Sequence, residues 1–251
     1  MLPVLHRSSG WDIGNWRIVT LAVLAGILIQ TSQILYFQAL AYSEAGIVAA
    51  YWNLTPSILP IVSFFLLGTV LHIYHYIGIG ILILASTGFC LLDANFKIRW
   101  DTFWLMGMAC CIQAIALLIE DYIFHFISLF SGFIFITVGI IFCGIPSLLV
   151  QSVRRSLWKT LRIHPMTTVI LLAIEGINLL ALFMSQRAIA VGLPSLVAAV
   201  ESTIPAYVFL LSMLMFAINR QIVDPRALKR LPLKLGLLTA IVTAVWLVSN
   251  S

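Results

Sequence analysis

Residues 38–57, QALAYSEAGIVAAYWNLTPS, have a counterpart near the other end of the chain in residues 186–206, QRAIAVGLPSLVAAVESTIPA. Moved forward by 149 positions, Ala39 falls on Ala188, Ala41 on Ala190, Val48-Ala49-Ala50 on Val197-Ala198-Ala199 and Pro56 on Pro205. Agreement at one constant offset marks an internal repeat, and this repeat decides how the rest of the sequence is divided.

The composition names the solvent. Of the 251 residues, 62% are hydrophobic and 9% are charged, against about 45–50% apolar and about 25% charged in soluble domains. That much apolar surface cannot be hidden by an aqueous fold, so lipid surrounds most of the chain. The formal charge of +5 does not point to nucleic acid, because the basic residues lie between the apolar runs, where they set membrane orientation. Cys90, Cys110, Cys111 and Cys143 all lie inside apolar runs without a C-x-x-C spacing, which reads as small core residues.

A helix needs about 17–25 apolar residues to cross a bilayer. Eight runs qualify, at 16–42, 46–71, 75–92, 102–120, 126–150, 167–189, 195–217 and 233–249. They are continuous rather than alternating, which favours helices over barrel strands. The first two are separated by a tight turn around Tyr42-Ser43-Glu44, and the sixth and seventh by one around Gly192-Leu193-Pro194. The offset therefore carries span one onto span six and span two onto span seven. Five is odd, so the two copies start on opposite sides of the membrane. The expected fold is an all-α polytopic membrane protein with eight transmembrane helices from two inverted repeats. The repeat unit has five helices and its first copy is incomplete: residues 1–93 hold three helices, residues 94–251 all five.

Eleven of the basic residues fall on one side of such a bundle: Lys97, Arg99, Arg154, Arg155, Lys159, Arg162, Arg220, Arg226, Lys229, Arg230 and Lys234. Arg7, Arg17 and Arg187 fall on the other. The positive-inside tendency then places the eleven in the cytoplasm and both termini outside.

In each half an Ala-x-Ala helix end is followed by a short turn, a helix with Val-Ala-Ala and a proline. Each half also closes on an apolar helix, YIGIGILILASTGFCLL at 76–92 and LKLGLLTAIVTAVWLVS at 233–249. In these features the chain resembles the EamA-type branch of the drug/metabolite transporter superfamily. The resemblance implies a carrier of small metabolites, amino acids or drugs, built from two inverted five-helix repeats around a central cavity. Relative to that pattern the first two helices are absent here. The resemblance also implies a cytoplasmic C-terminus, opposite to the charge count.

Ionisable residues at mid-membrane depth cost about 2.5–3.5 kcal/mol on insertion scales and usually face a cavity or a partner. Glu175 lies in span six and Glu201 in span seven, with Asn178 one helical turn after Glu175. Gln30 and Gln33 are similarly spaced on span one, and the repeat places Trp52-Asn53 opposite Glu201-Ser202. Two readings stand. Gln30, Gln33, Trp52, Asn53, Glu175, Asn178, Glu201 and Thr203 line a substrate-binding pocket in which a glutamate exchanges a proton, or the same groups only cross-link helices by hydrogen bonds. Pro56, Pro60 and Pro205 free backbone carbonyls and act as hinges or as static kinks. His72-x-x-His75 lacks the further ligands of a metal site. Glu120-Asp121 with His125 reads as a solvated turn ending span four. With no H-E-x-x-H, G-x-S-x-G or P-loop pattern, neither enzyme chemistry nor a cofactor is expected.

The function expected from these features is a secondary carrier working by alternating access, in the exporting direction. It would sit in the cell or inner membrane, with the bilayer, a small organic substrate and a second copy of the chain as partners. The alternative is a truncated or accessory membrane protein that does not transport.

Overall fold

In the computed structural model the described residues are 16–43, 45–68, 72–91, 100–149, 151, 154–155, 158–159, 165–204, 206–207, 210–211, 213–214 and 231–249. Among them every regular element is a helix: α1 Trp16–Tyr42, α2 Ala45–Trp52, α3 Thr55–Leu67, α4 Ile73–Leu91, α5 Trp100–Phe124, α6 Leu129–Leu149, α7 Pro165–Val191, α8 Pro194–Glu201 and α9 Leu231–Ser249. A helix pairs its backbone groups within itself, which an apolar segment in lipid must do.

Among the described residues, five helical stretches are long and apolar enough to cross a membrane: α1, Val48–Phe65, α5, Leu129–Pro146 and Thr168–Val191. Helices α4 and α9 contain shorter apolar stretches, Ile73–Ala85 and Leu235–Trp246. The span expected at 195–217 includes residues outside the described set, and Glu44, Pro205 and the cationic segment 215–230 lie outside it.

Both expected tight turns are present. After α1, the Ser43 N–H donates to the Ala39 carbonyl at 3.1 Å; after α7, the Gly192 N–H donates to the Ala188 carbonyl at 2.8 Å. Pro194 then opens α8, where its missing N–H costs nothing because no partner exists in a first turn.

The chain divides into two compact units. The first comprises residues 1–31 and 116–192, and the second residues 32–115 and 193–251.

In the first unit, Ile18, Ala22, Ala25 and Ile29 of α1 form one stripe at helical spacing. They are buried with Ala116 and Ile123 of α5, Ile127 of the following turn and Ile136 of α6. Helices α1 and α6 approach backbone to backbone. A Cβ placed on Gly26 would strike the Ile136 carbonyl, and one placed on Gly139 would strike the Val23 carbonyl. Further along, Thr31 Oγ1 lies 3.8 Å from Cys143 Sγ. These contacts run forward in both helices, so α1 and α6 are parallel. Phe133 near the start of α6 meets Phe183 near the end of α7 edge to face at 5.3 Å. The starts of α1 and α6 and the end of α7 therefore share one end of this unit.

In the second unit, Ile79, Leu82 and Ala85 of α4 pack with Ile241 and Ala244 of α9, Ala199 of α8 and Ala206. Helix α4 also packs against α2 and α3, and α3 against α8. Ala39, Val48 and Met106 form a smaller cluster that joins α1, α2 and α5. Helices α1 and α5 run antiparallel here, tied by Ser43 Oγ to Thr102 Oγ1 at 2.6 Å and by the Ser32 hydroxyl donating to Gln113 Oε1 at 2.7 Å.

Candidate intramembrane polar site

The second span is not one helix. Helix α2 stops at Trp52, Asn53 and Leu54 form a turn, and α3 starts at Thr55 with Pro56 in its first turn. Proline has no N–H, so the Trp52 carbonyl loses the donor that a continuous helix would supply from position 56. The chain compensates locally. The Leu54 N–H donates to the Tyr51 carbonyl at 3.0 Å, and the Ser57 and Ile58 N–H groups both donate to the Leu54 carbonyl, at 2.9 and 3.1 Å. The buried Cys110 thiol of α5 donates to the Tyr51 carbonyl at 3.3 Å and lies 3.9 Å from the Trp52 carbonyl.

The same interruption recurs after α8. The Thr203 N–H donates to the Val200 carbonyl at 3.0 Å, and the Ala206 and Tyr207 N–H groups donate to the Thr203 carbonyl at 2.9 and 3.4 Å. Each of these bonds joins residues 149 positions beyond its counterpart around Leu54. The helix limits follow the same interval, with Trp16–Tyr42 against Pro165–Val191 and Ala45–Trp52 against Pro194–Glu201. The capping groups differ. At the second interruption the Ser202 and Thr203 hydroxyls close on the Ala199 and Val200 carbonyls, both at 2.6 Å, a local bond that replaces missing backbone donors.

The residues singled out from the sequence are divided between the units. Gln33, Trp52, Asn53, Glu201 and Thr203 belong to the second. There Asn53 and Thr203 are buried, Gln33 and Trp52 are half-buried, and Glu201 is exposed. The Trp52 ring meets Tyr36 edge to face at 5.3 Å. Gln30, Glu175 and Asn178 belong to the first unit, Gln30 half-buried and the other two exposed. Every residue of α7 from Val169 to Ala181 is exposed, while Gln186 and Ile189 near its end are buried.

A polar pair missed in the sequence lies in the first unit. Gln186 Nε2 of α7 donates to Glu120 Oε1 of α5 at 2.9 Å, with Gln186 only 1% and Glu120 only 2% exposed. Glu120 is thus not part of a solvated turn. Helix α5 continues to Phe124, and the turn that His125 begins lies beyond it, with His125 Nδ1 hydrogen-bonded to the Asp121 carbonyl at 2.7 Å. The signal was available in the spacing. Ala116, Glu120, Ile123 and Ile127 repeat at helical intervals, so Glu120 shares the face of three apolar core residues.

No protein-family model matches the sequence, and no curated protein matches it. The helices themselves decide the class. The chain is a multi-pass integral membrane protein.

Proposed function

We propose that the chain is a secondary carrier of small organic molecules such as metabolites, amino acids or drugs. It works by alternating access of two inverted repeats, residues 1–93 and 94–251, in the exporting direction. The observation that carries this reading is the interruption after α2 and its counterpart after α8, whose backbone hydrogen bonds recur at the interval of the sequence repeat. Interrupted helices in corresponding positions of two halves are the usual seat of substrate and coupling ions in secondary transporters, because their unwound carbonyls and helix ends serve as ligands. Trp52, Asn53, Glu201 and Thr203 flank the two interruptions, and the resemblance to EamA-type carriers points the same way. Purified chain in proteoliposomes, screened for substrate release under an imposed pH gradient, tests it. Release that Asn53→Ala and Thr203→Ala abolish is expected. A full screen without movement of any substrate would overturn the reading.

One observation favours an alternative. The first part of α1 is buried against α5 and α6, whereas α7, its counterpart under the repeat, is bare from Val169 to Ala181 and carries Glu175 and Asn178 there. A mid-span carboxyl facing lipid is costly. Helix α7 is suited to packing on further helices, as in an accessory subunit that does not transport or in a homodimer. Crosslinking in native membranes separates these cases.

A further inference from the structure

We propose that the bare half of α7 is a dimerisation surface, on which α7 of a second copy packs in parallel and Glu175 and Asn178 hydrogen-bond across the interface. Three observations lead there. Residues Val169 to Ala181 are exposed on every side of the helix. Among the described residues of the five membrane-length stretches, Glu175 is the exposed acid or base farthest from an end. It lies seven residues and Asn178 ten residues into Thr168–Val191, about 10 and 15 Å deep at 1.5 Å per residue. Among the described residues neither side chain has a hydrogen-bond partner.

Lipid cannot satisfy these groups, and ionisable side chains at such depth pair with other polar groups. Leu171, Glu175, Asn178 and Leu182 follow one another at intervals of four, three and four residues, which lines them up on one side of the helix. That is the spacing of a two-helix seam, in which a polar residue fixes register and the number of helices. Towards the end of α7 the same side turns onto its own unit, where Gln186 and Ile189 are buried, so the seam is open to a partner over its earlier turns.

The occupant follows from complementarity. An acid and an amide one turn apart are matched by the same two groups on a second copy. In a two-fold contact the Asn178 N–H of each copy donates to the partner's Glu175 carboxyl, which gives two equivalent bonds. The pairing does not depend on ionisation. A carboxylate accepts the amide N–H, and a carboxylic acid can also donate to the Asn178 carbonyl. Direction follows from charge. With eleven basic residues on one side against three on the other, every copy inserts the same way. The two-fold axis then runs along the membrane normal, and α7 meets α7 in parallel. The surface is independent of the carrier reading, and it selects a second copy among the partners open to α7.

Photocrosslinking of the full chain in native membranes tests the surface, with a benzophenone side chain placed at Leu171 or, on the opposite side of the helix, at Ala173. Light should join Leu171 to α7 of a second copy, identified by mass spectrometry of the crosslinked peptide, and should leave Ala173 without that product. In lipid vesicles, with the dimer fraction read by single-molecule photobleaching, Asn178→Ala should raise the dissociation constant about tenfold, since it removes both bonds. Asn178→Gln should restore part of the loss. The proposal is overturned by capture of lipid or of another protein alone from Leu171, by α7 crosslinking from Ala173 at or above the Leu171 level, or by an unchanged dissociation constant in Asn178→Ala. Should Asn178→Ala fail to insert, the Leu171 and Ala173 products decide alone.

Discussion

Gly26 of α1 and Gly139 of α6 meet with no room for a side chain on either. A Cβ on Gly139 would lie 3.1 Å from the Gly26 Cα, besides striking the Val23 carbonyl. The obstacle is backbone, which cannot rotate aside, so the helices themselves must separate. Small residues at such crossings let helices associate in lipid, where no hydrophobic driving force is left to hold them together. Gly139→Ala and Gly26→Ala should each destabilise the protein by about 1–3 kcal/mol, the usual range for overpacking. Gly107→Ala in α5, where a Cβ would meet nothing within 4 Å, should be neutral or stabilising by up to about 1 kcal/mol. Thermal unfolding in detergent checks all three. Equal Tm values for Gly139→Ala and Gly107→Ala would refute the crossing.

The buried hydrogen bond between Gln186 and Glu120 makes a second prediction, about stability. Glu120→Leu takes from the buried Gln186 amide its hydrogen-bonded carboxylate, and Gln186→Leu takes from Glu120 its amide donor, each at about 1–3 kcal/mol. Replacing both removes the need for either. Glu120→Leu and Gln186→Leu should each be destabilising, and the double variant less so than their sum. The coupling expected of an interhelical bond in a membrane is about 0.6 kcal/mol, rising to about 1.7 kcal/mol. A double-mutant cycle in detergent measures it, and strict additivity would show that the 2.9 Å contact carries no energy.

Pro56 separates stability from action. Pro56→Ala supplies an N–H to the Trp52 carbonyl and allows the backbone from Ala45 to Leu67 to close toward one helix. An interior proline costs a helix about 3 kcal/mol, part of which the turn at Asn53-Leu54 already recovers. The variant should therefore unfold at a higher temperature. Under the carrier reading it should also transport more slowly, because the interruption that holds ligand groups is lost. A lower Tm would mean that the turn is held by its surroundings and not by the proline.

Orientation can be read at the far end of α6. Arg154, Arg155 and Lys159 follow it, whereas Arg17 and Arg187 lie at the opposite end of the same unit. Positive residues concentrate on the cytoplasmic side. A cysteine placed at Arg155 should be labelled by an impermeant thiol reagent only from the cytoplasm, and one at Arg187 only from outside. The reverse pattern would match the orientation that the EamA resemblance implies, and would make this chain an exception to the charge rule.

Much of the helix layout was legible locally. The ends of α1 and α7, the short turns after them and the proline after α2 depend on neighbours within a few residues, where glycine, proline and apolar periodicity act directly. The interruption at Asn53-Leu54 was anticipated only as a hinge or kink at Pro56. Whether a proline bends a helix or divides it depends on what caps the freed carbonyls, here Cys110 from a helix 58 residues away in sequence.

The sequence by itself determined that the chain lives in lipid, that it is helical, and that one local pattern occurs twice. Those properties follow from apolar content, from the need of each segment to pair its own backbone, and from residue order. Only the tertiary structure decided which polar groups are buried together. Glu175 and Glu120 have similar apolar surroundings in sequence, yet Glu175 lies on a bare stretch of α7 while Glu120 is enclosed with Gln186. The difference is which helix faces cross, and a crossing such as that at Gly26 and Gly139 is fixed by side-chain volume at two distant positions at once.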